Sequence, residues 1–345
     1  MSAIGERVTL EDVAREAGVS LATVDRVVNR RPGVREKTVA RVEAAILKLS
    51  YRPDPVAARL ARNKTFRFCF ILPTGTNTFM GQLADQVRQT AEWLAVQRAF
   101  VDTLHVDVFD PDELARTIET VGPRYDGVAT IALDHPRVRA AIDEVVGQGV
   151  AVVTLVSDAP TSTRLHYVGI DNTAAGRTAG TLMGRFLGNR TGKVAIIAGS
   201  LALRDHAERQ FGFSQVLTRE YPNASVLAAR EGRDDSDRTE QIARELLAAH
   251  PDLVGIYSAG AGNRGIGNAL EATGRAADVV WIAHELTPHT RRYLVRGVVD
   301  AVINQDAGHE ARSAARVLLA HCSDEPIMRD QERIRIDIFI RDNLP

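Results

Sequence analysis

Apolar residues in the first part of the chain recur three or four positions apart, which is the spacing of amphipathic helices. Thr9 followed by Asp12 has the form of a capping box, and Gly18 is a typical residue after the last turn of a helix. Ser20 is a suitable N-cap for a second helix, so only a short turn separates the two helices. The pattern predicts a helix-turn-helix.

A third helix is predicted over residues 35–50, where an apolar stripe can close a small three-helix core. Further on, Asp54 can cap a short helix whose first position is Pro55, because the first turn does not need the N–H that proline lacks. That helix is too short to be stable alone. We therefore expect an all-α helix-turn-helix DNA-binding headpiece over residues 7–52 and a hinge helix or linker over residues 53–64.

From Phe66 onward the pattern changes to short apolar strands that alternate with helices. Repeated strand and helix units predict parallel sheets that are covered on both faces. The predicted strands are Phe66 to Leu72, Phe100 to Val108, Gly127 to Ala132, Val150 to Val156, Lys193 to Ile197, Val254 to Ser258, Val279 to Ala283 and Ala301 to Asn304.

This second part is too long for one sheet of typical size, and a break near residues 165–171 divides it into two similar halves. We expect an α/β core with two lobes, each built on a doubly wound parallel sheet. The predicted first lobe contains residues 66–165 plus about 300–325, and the second contains 166–299 plus about 326–345. A ligand is expected in the crevice at the carboxyl ends of the strands.

Charge separates the same two parts. Residues 1–65 contain 13 Lys and Arg against 8 Asp and Glu, whereas the whole chain contains 43 against 44. The N-terminal part is therefore basic and the remainder acidic. A basic domain on an acidic body suits a polyanionic partner such as double-stranded DNA.

Three runs resemble the lactose-repressor family of bacterial transcription regulators: VTLEDVAREAGVSLATVDRVVN, REKTVARVEAAILKLSYRP and PDPVAARLAR. The resemblance implies that the second helix enters the major groove of an operator, with bases facing Leu21, Ala22 and Arg26. It also implies a DNA-binding set of other residues. Ser20, Thr23 and Asn29 would contact phosphates or base edges, Arg35, Lys37 and Thr38 the backbone, and Leu60 the minor groove, with Thr9 and Asp25 completing the set.

Asp25 departs from the family, which usually has serine at this position. A carboxylate that faces phosphate is repelled, so Asp25 either accepts a hydrogen bond from cytosine or pairs with Arg26. Leu21 and Ala22 can contact thymine methyl groups but cannot form bidentate hydrogen bonds with bases. The operator sequence cannot be read from these residues.

The resemblance continues into the core, which is similar to the two-lobed fold of periplasmic sugar-binding proteins. It implies that a small effector, a sugar, polyol or sugar acid, binds between the lobes. Arg209 is the first candidate, because its guanidinium can donate two hydrogen bonds to hydroxyls or a carboxylate. Phe79 either stacks on a sugar ring or packs between the lobes. The remaining candidates for effector binding are Asn77, Ser157, Asp158, Asn263, His284, Glu285 and Gln305.

A rival interpretation comes from the segment 260–265, which has the form GxGxxG after a predicted strand and is followed about 20 residues later by Glu285. In that form it is typical of dinucleotide binding and predicts an NAD(P)-linked oxidoreductase core. A sugar-binding protein is a further alternative for the core, although it does not explain the headpiece. The two cysteines and nine scattered histidines predict no metal site, and we expect no cofactor and no catalysis.

Taken together, these features predict a regulator of a carbohydrate or polyol utilisation operon that binds DNA as a homodimer. The resemblance implies a repressor that the effector releases from DNA, and the sequence leaves open whether the effector acts instead as a co-repressor. The effector is expected to close the lobes and change the hinge helices. The first residues lack the basic start and apolar run of a secretory signal, so we expect a cytoplasmic protein, associated with the nucleoid when on its operator, without a membrane partner. The last residues carry no heptad repeat that would form a tetramer.

Overall fold

The described residues of the N-terminal unit form three helices, and the unit is separated from the rest of the chain between Lys64 and Thr65. They are α1 (Leu10–Ala17), α2 (Leu21–Val28) and α3 (Glu36–Lys48). The computed structural model describes residues 8–29, 31–51, 64–75 and 77–345. The hinge segment predicted over residues 53–64, with Leu60, therefore lies outside the described residues, apart from residue 64.

The caps of the first two helices are those that the sequence predicts. Thr9 Oγ1 accepts a hydrogen bond from Asp12 N at 3.3 Å, and the Asp12 carboxylate accepts one from Thr9 N at 2.9 Å. Gly18 ends α1 in the left-handed conformation, with φ of 60°. Val24 of α2 is fully buried in the small core. The predicted helix-turn-helix is confirmed.

The first sheet of the second unit is parallel throughout, in the order β2-β1-β3-β4-β5. Its strands are β1 (Phe66–Pro73), β2 (Ala99–Val106), β3 (Gly127–Thr130), β4 (Ala151–Leu155) and β5 (His166–Val168). Phe68 and Phe70 of β1 are buried on one face, and Cys69 and Ile71 on the other. The helices on the second of these faces are α5 (Pro111–Val121) and α6 (Pro136–Gly147), while α4 (Thr78–Val96) and the later α12 (Ala307–Cys322) cover the first.

The second sheet has the order β12-β11-β10-β9-β6-β7, with β8 beside β6. Its strands are β6 (Gly192–Ala198), β7 (Ala224–Val226), β8 (Arg230–Glu231), β9 (Leu253–Ser258), β10 (Val280–His284), β11 (Ala301–Asn304) and β12 (Asp337–Phe339). All pairs are parallel except β11 with β12. The helices of this half are α7 (Asn172–Leu187), α8 (Arg204–Glu220), α9 (Ser236–Ala249), α10 (Asn263–Ala272) and α11 (Pro288–Arg296).

Two of the predicted lobe boundaries are displaced in the structure. β5 extends the first sheet, although it lies beyond the predicted boundary at residue 165. β11 pairs with β10 in the second sheet, although residues from about 300 were assigned to the first lobe. The chain returns to the first lobe only with α12, whose Leu318 packs beneath β3. The reason is that the strands continue each sheet up to the crossover, so the chain changes lobe after a strand rather than before it.

Helices α7 and α8 pack at close range because glycines face each other across the contact. A Cβ atom built on Gly176 would lie 2.0 Å from the carbonyl oxygen of Arg209. One built on Gly212 would lie 2.2 Å from the carbonyl oxygen of Thr173. This close approach fixes the backbone of α8 at the position from which Arg209 extends toward the crevice.

Candidate DNA-binding surface and effector crevice

The predicted recognition helix α2 begins at a well-formed cap. Ser20 Oγ accepts a hydrogen bond from Thr23 N at 3.2 Å and lies 2.9 Å from Thr23 Oγ1. Leu21 is 44% exposed, and Ala22 and Arg26 are also exposed. Other predicted DNA-binding residues are exposed as well: Thr9, Arg35 and Lys37, with Thr38 half-buried. The start of α2 thus presents apolar side chains beside polar and cationic ones.

Asp25 does not pair with Arg26, contrary to one of the two predicted alternatives. Its carboxylate accepts a hydrogen bond from Asn29 Nδ2 at 2.7 Å and lies 3.3 Å from Arg31 Nη1. Arg26 instead reaches the carbonyl oxygen of Pro32, at 3.4 Å. Adjacent residues on a helix point in different directions, whereas residues four apart share a face. Asn29, four positions after Asp25, can therefore reach its carboxylate. Arg31, which was missed from the sequence, offsets the negative charge of Asp25.

A cavity of about 260 Å³ lies between the two sheets. It is at the carboxyl ends of the strands, where a parallel α/β fold places its ligands. Six of the nine predicted effector residues line it: Asn77, Phe79, Ser157, Arg209, Glu285 and Gln305. Lining residues that the sequence analysis missed include Phe109, Asp205, His206, Arg233 and Asp234.

Arg209 is the central cation of this crevice and is only 2% exposed. Its Nε donates to Asn172 Oδ1 at 2.8 Å, and its Nη1 donates to the carbonyl oxygen of Ala259 at 3.1 Å. Its Nη2 lies 3.8 Å from Glu285 Oε1 and has no hydrogen-bond partner among the described residues. Two of its three nitrogens therefore hold the guanidinium in place, and the third remains to bind a ligand.

Glu285 follows β10 in a left-handed backbone conformation, with φ of 67°. Its carboxylate accepts hydrogen bonds from the backbone N of Gln305 at 3.3 Å and from Gln305 Nε2 at 2.9 Å. Burial raises the pKa of Glu285 to about 7, and the charge of Arg209 opposes this rise. The carboxyl group is thus close to half-protonated at neutral pH.

Several buried polar atoms around the cavity lack a partner within the described part of the chain. They are Ser157 Oγ, Asp205 Oδ1, Arg209 Nη2 and Gln305 Oε1. Buried polar groups are nearly always hydrogen-bonded in folded proteins. Donors and acceptors left in this way around one cavity indicate a polar ligand with both kinds of group.

Asn77 and Phe79 reach the cavity from the start of α4. Asn77 Oδ1 accepts from the backbone N of Phe79 and Met80, and its Nδ2 donates to Asp234 Oδ2 at 2.9 Å. The amide of Asn77 is thus engaged at both ends. Phe79 lines the cavity but is only 5% exposed and packs within the apolar core, which favours packing over ring stacking.

Three predicted effector residues do not line this cavity. Asp158 pairs with Arg164 and accepts from Thr154 Oγ1 at 2.6 Å, so it is part of the wall of the first lobe. His284 is fully buried behind the crevice, with Nε2 2.8 Å from Tyr257 Oη, and burial lowers its pKa well below the ordinary value. Asn263 lines a smaller adjoining pocket and donates to the carbonyl oxygen of His284 at 3.0 Å.

Asp205 was the missed residue with the clearest sequence signal. It lies four positions before Arg209 on α8, so the two side chains share a helix face. Arg204 next to it points elsewhere, to Asp134 at 3.1 Å and Glu208 at 2.7 Å. His206 follows Asp205 on the same helix, whereas Phe109, Arg233 and Asp234 come from loops whose approach to the crevice depends on the packing of the two lobes.

The GxGxxG segment does lie between a strand and a helix, β9 and α10, as a dinucleotide site requires. Its glycines nevertheless have packing roles. Gly262 has φ of 90°, and a Cβ atom on Gly265 would lie 2.1 Å from the carbonyl oxygen of Ser236. These glycines allow α10 to approach α9, which explains the motif without a dinucleotide.

Two further features bear on the class of protein. Within the described ranges, no group of three or more His, Cys, Asp or Glu side chains could hold a metal ion. No helix among the described residues has the length and apolar character needed to cross a bilayer.

Comparison with protein families matches each unit separately. Residues 9–54 match the model of bacterial regulatory proteins of the lacI family. Residues 68–326 match the model of a periplasmic binding protein domain. The chain is 30% identical over 212 residues to catabolite control protein A of Priestia megaterium and 27% identical over 214 residues to the HTH-type transcriptional regulator DegA of Bacillus subtilis. Each alignment spans 61% of this chain and 61% of the relative's length.

Solved structures share the fold of the core. A glucose-galactose binding protein of Geobacillus stearothermophilus superposes with a TM-score of 0.73 and 23% identity, over 82% of this chain and 99% of its own. A solute-binding protein of Burkholderia graminis in complex with D-arabinose gives a TM-score of 0.73 and 24% identity, over 81% and 96% of the two chains. The two-lobed fold predicted for the core is confirmed.

Proposed function

The chain combines a headpiece of the lacI family of bacterial regulators with a core that belongs to the periplasmic binding protein domain family, and from this premise we propose that it is a DNA-binding transcription regulator controlled by a small neutral polyol or sugar. The observation that carries the proposal is the set of buried polar atoms around one cavity that have no hydrogen-bond partner among the described residues, in a chain that also has a helix-turn-helix. The regulated operon is one for carbohydrate or polyol utilisation, and the default action is repression.

The headpiece supports the DNA-binding part of the proposal. A basic unit with an exposed, well-capped second helix has the form that enters the major groove. Leu21 and Ala22 are exposed and can contact thymine methyl groups, and Arg26 is exposed beside them. One such helix contacts few base pairs, so a homodimer that reads two half-sites is the arrangement we propose.

The charges in the crevice favour a neutral effector over a sugar acid. The cavity is lined by the carboxyl groups of Asp205, Asp234 and Glu285 as well as by the guanidinium groups of Arg209 and Arg233. A bound carboxylate would be close to these acids, whereas hydroxyl groups can donate to the acids and accept from Arg209. The volume of the cavity, about 260 Å³, is below the usual range of about 300–1,000 Å³ for drug-sized ligands, so the cavity suits a small molecule.

Effector binding is tested by a thermal-shift screen, because a ligand that binds the folded state raises the melting temperature. The probes are D-glucose, D-ribose, D-arabinose, xylitol, D-gluconate and NAD⁺. We expect at least one neutral sugar or polyol to stabilise the parent protein. The same compound should stabilise the control variant Arg244→Gln, which changes an exposed position of α9. Arg209→Gln should lose the response while retaining its circular dichroism spectrum. Stabilisation by NAD⁺ alone would revive the oxidoreductase interpretation.

DNA recognition is tested by selection of duplexes from a random pool with the full chain. We expect enrichment of sites with two-fold pseudo-symmetry, and titration of the selected duplex with an active sugar then gives the sign of regulation. Release from DNA by the sugar supports induction of a repressor, and tighter binding indicates a co-repressor. Failure to enrich any sequence would refute the proposed role of the headpiece.

A further inference from the structure

The loop of residues 232–235, which joins β8 to α9 in the second lobe, contacts the first lobe across the crevice. Asp234 Oδ2 accepts a hydrogen bond from Asn77 Nδ2 at 2.9 Å. The guanidinium carbon of Arg233 lies 5.5 Å from the ring centroid of Phe109, within the range of a cation–π interaction. Asn77 and Phe109 both belong to the first lobe, so two consecutive residues of this loop bridge the lobes.

The backbone of the loop is unusual for the same two residues. Arg233 and Asp234 have φ of 51° and 57°, which is the left-handed region that residues other than glycine rarely adopt. Such a conformation persists where neighbouring contacts hold it. Arg233 N donates to the carbonyl oxygen of Gly199 at 2.8 Å, and Ala261 N donates to Asp234 Oδ1 at 3.0 Å. The second lobe thus holds both side chains in position toward the first.

We propose that residues 232–235 are an inter-lobe clasp that favours the closed core before an effector binds. The two carboxylate oxygens of Asp234 make different contacts, since Oδ1 fixes the loop to its own lobe and Oδ2 holds Asn77 of the other lobe. Asn77 then acts chiefly as part of the clasp, because its Oδ1 accepts from two backbone N–H groups of its own helix start and one of its two amide N–H groups is held by Asp234.

The clasp bears directly on regulation. A ligand shifts an equilibrium between open and closed forms only by its difference in affinity for the two. A core that is already biased toward closure needs a smaller difference, and its apparent affinity for effector rises accordingly. The regulatory meaning of the clasp rests on the proposed effector function of the crevice, but the test below uses no effector.

Further polar contacts cross between the lobes, and one of them is from Gln82 Nε2 of α4 to the carbonyl oxygen of Leu286, at 3.5 Å. Arg204 of α8 lies 3.1 Å from Asp134, which follows β3. The Arg204 side chain is 39% exposed and is shared with Glu208 of its own helix. Asp134 is also shared with Arg139 at 2.6 Å, and the contact from Gln82 is long, so we assign the larger part of the bias toward closure to the clasp.

The experiment measures the distance between the lobes by pulsed electron paramagnetic resonance of the full chain. Cys322→Ser removes the partly exposed thiol, while the fully buried Cys69 stays. Nitroxide labels are placed at Thr120→Cys on α5 and Ala248→Cys on α9, which are exposed positions in opposite lobes. An excess of unlabelled protein ensures that the measured pairs lie within one chain.

Two variants break the bridging hydrogen bond with little other change. Asn77→Ser keeps an oxygen that can cap α4 but has no amide donor. Asp234→Asn tolerates the left-handed backbone but offers one acceptor oxygen instead of two. The matched control is Asp237→Asn, a highly exposed residue just after the loop that pairs with Arg264 at 3.4 Å within its own lobe.

We expect Asn77→Ser and Asp234→Asn each to raise the ratio of open to closed molecules by about fivefold, as the loss of one hydrogen bond of ordinary net strength implies. Because both act on the same bond, the double variant should be no more open than the single ones. Phe109→Leu should add a smaller, separate increase. Distance distributions that match those of the parent and of Asp237→Asn would overturn the proposal, as would full additivity of the two changes. Neither result would bear on whether the crevice binds a sugar.

Discussion

At the scale of single residues, the crevice concentrates ionisable side chains that are almost fully buried. Arg209, Asp205 and Glu285 are each at least 92% buried in the same small volume, and the neighbouring Glu310 of α12 is fully buried. Burial, and then the charge of Glu285, raise the pKa of Glu310 well above its ordinary value. A site with this many buried ionisable groups responds to pH even when no ligand is bound.

The stability of the core should therefore decrease as pH rises through the titration of Glu285. A carboxyl group whose folded pKa is about 7 stabilises the fold below its unfolded pKa of about 4.5, and this contribution is lost as pH rises through 7. The difference corresponds to on the order of 3 kcal/mol. Since Gln has no proton to lose, Glu285→Gln should gain stability relative to the parent over this interval.

The measurement is urea unfolding at pH 4.5 to 8, followed by tryptophan fluorescence. Both tryptophans, Trp93 and Trp281, lie in the second unit, so the signal reports on the core alone. The control is Glu92→Gln, at an exposed position of α4, and its free energy of unfolding should follow that of the parent at every pH. Parallel profiles for the parent and Glu285→Gln would contradict the prediction.

The residues of the site differ in how far the sequence could predict them. Arg209 and Glu285 could be predicted from the sequence. The resemblance to the family singles out both residues, and Glu285 also follows directly after a predicted strand. Asp158 and His284 do not line the cavity, because their neighbours Arg164 and Tyr257 engage them elsewhere. No local pattern distinguishes a polar strand end that faces a crevice from one that is bonded behind it.

At the scale of elements, the contact between α7 and α8 determines where the central arginine lies. Gly176 of α7 approaches the backbone of Arg209 so closely that no side chain fits between them. Close packing of this kind transmits any displacement, because protein interiors have little free space. The recognition chemistry of the site thus depends on a glycine that never touches a ligand.

Gly176→Ala should destabilise the core by about 1–3 kcal/mol, the usual cost of forcing extra volume into a packed interior. It should also reduce stabilisation by whichever sugar is active on the parent, because α8 must move. Gly81→Ala on α4 is the matched control, since its added Cβ would meet nothing within 4 Å. That change should instead stabilise the helix by up to about 1 kcal/mol. Urea unfolding followed by tryptophan fluorescence measures the stability of both variants. Equal changes in the free energy of unfolding for Gly176→Ala and Gly81→Ala would be evidence against a close contact between α7 and α8.

Elements with strong local signals were predictable, and short ones were not. The helices of the headpiece were predicted almost to the residue because Thr9, Gly18 and Ser20 mark their ends. The strands β5, β7, β8 and β12 were missed because each has only two or three residues. Such strands form because a neighbouring strand offers unpaired backbone groups. Which strand becomes the neighbour depends on residues far away in the sequence, so a local pattern does not reveal it.

At the scale of the whole molecule, the two units carry opposite charge and separate functions. The boundary between Lys64 and Thr65 coincides with the change from helical to strand and helix patterning. The crossovers between lobes were less predictable, because β11 reads as a buried strand that either sheet could accept. The pairing of β11 (Ala301–Asn304) with β10 shows that this strand belongs to the second sheet.

Removal of residues 1–64 should abolish binding to the selected duplex but leave the core folded. We expect the urea midpoint from tryptophan fluorescence and the thermal shift with an active sugar to stay close to those of the full chain. The control is a variant of the full chain with Arg26→Ala, which should weaken DNA binding without changing either value. Retained binding of the shortened chain to the duplex would disprove this division of function.

The return of α12 to the first lobe has a consequence for biosynthesis. The strands of the first sheet end at Val168, but α12, which covers β3 to β5 on the face that it shares with α4, begins at Ala307. A ribosome needs on the order of ten seconds to add the residues between them. During that time the nascent first lobe exposes apolar side chains on this face of β3 and β4, such as Ala129 and Val153, and we expect chaperones that bind growing chains to bind it.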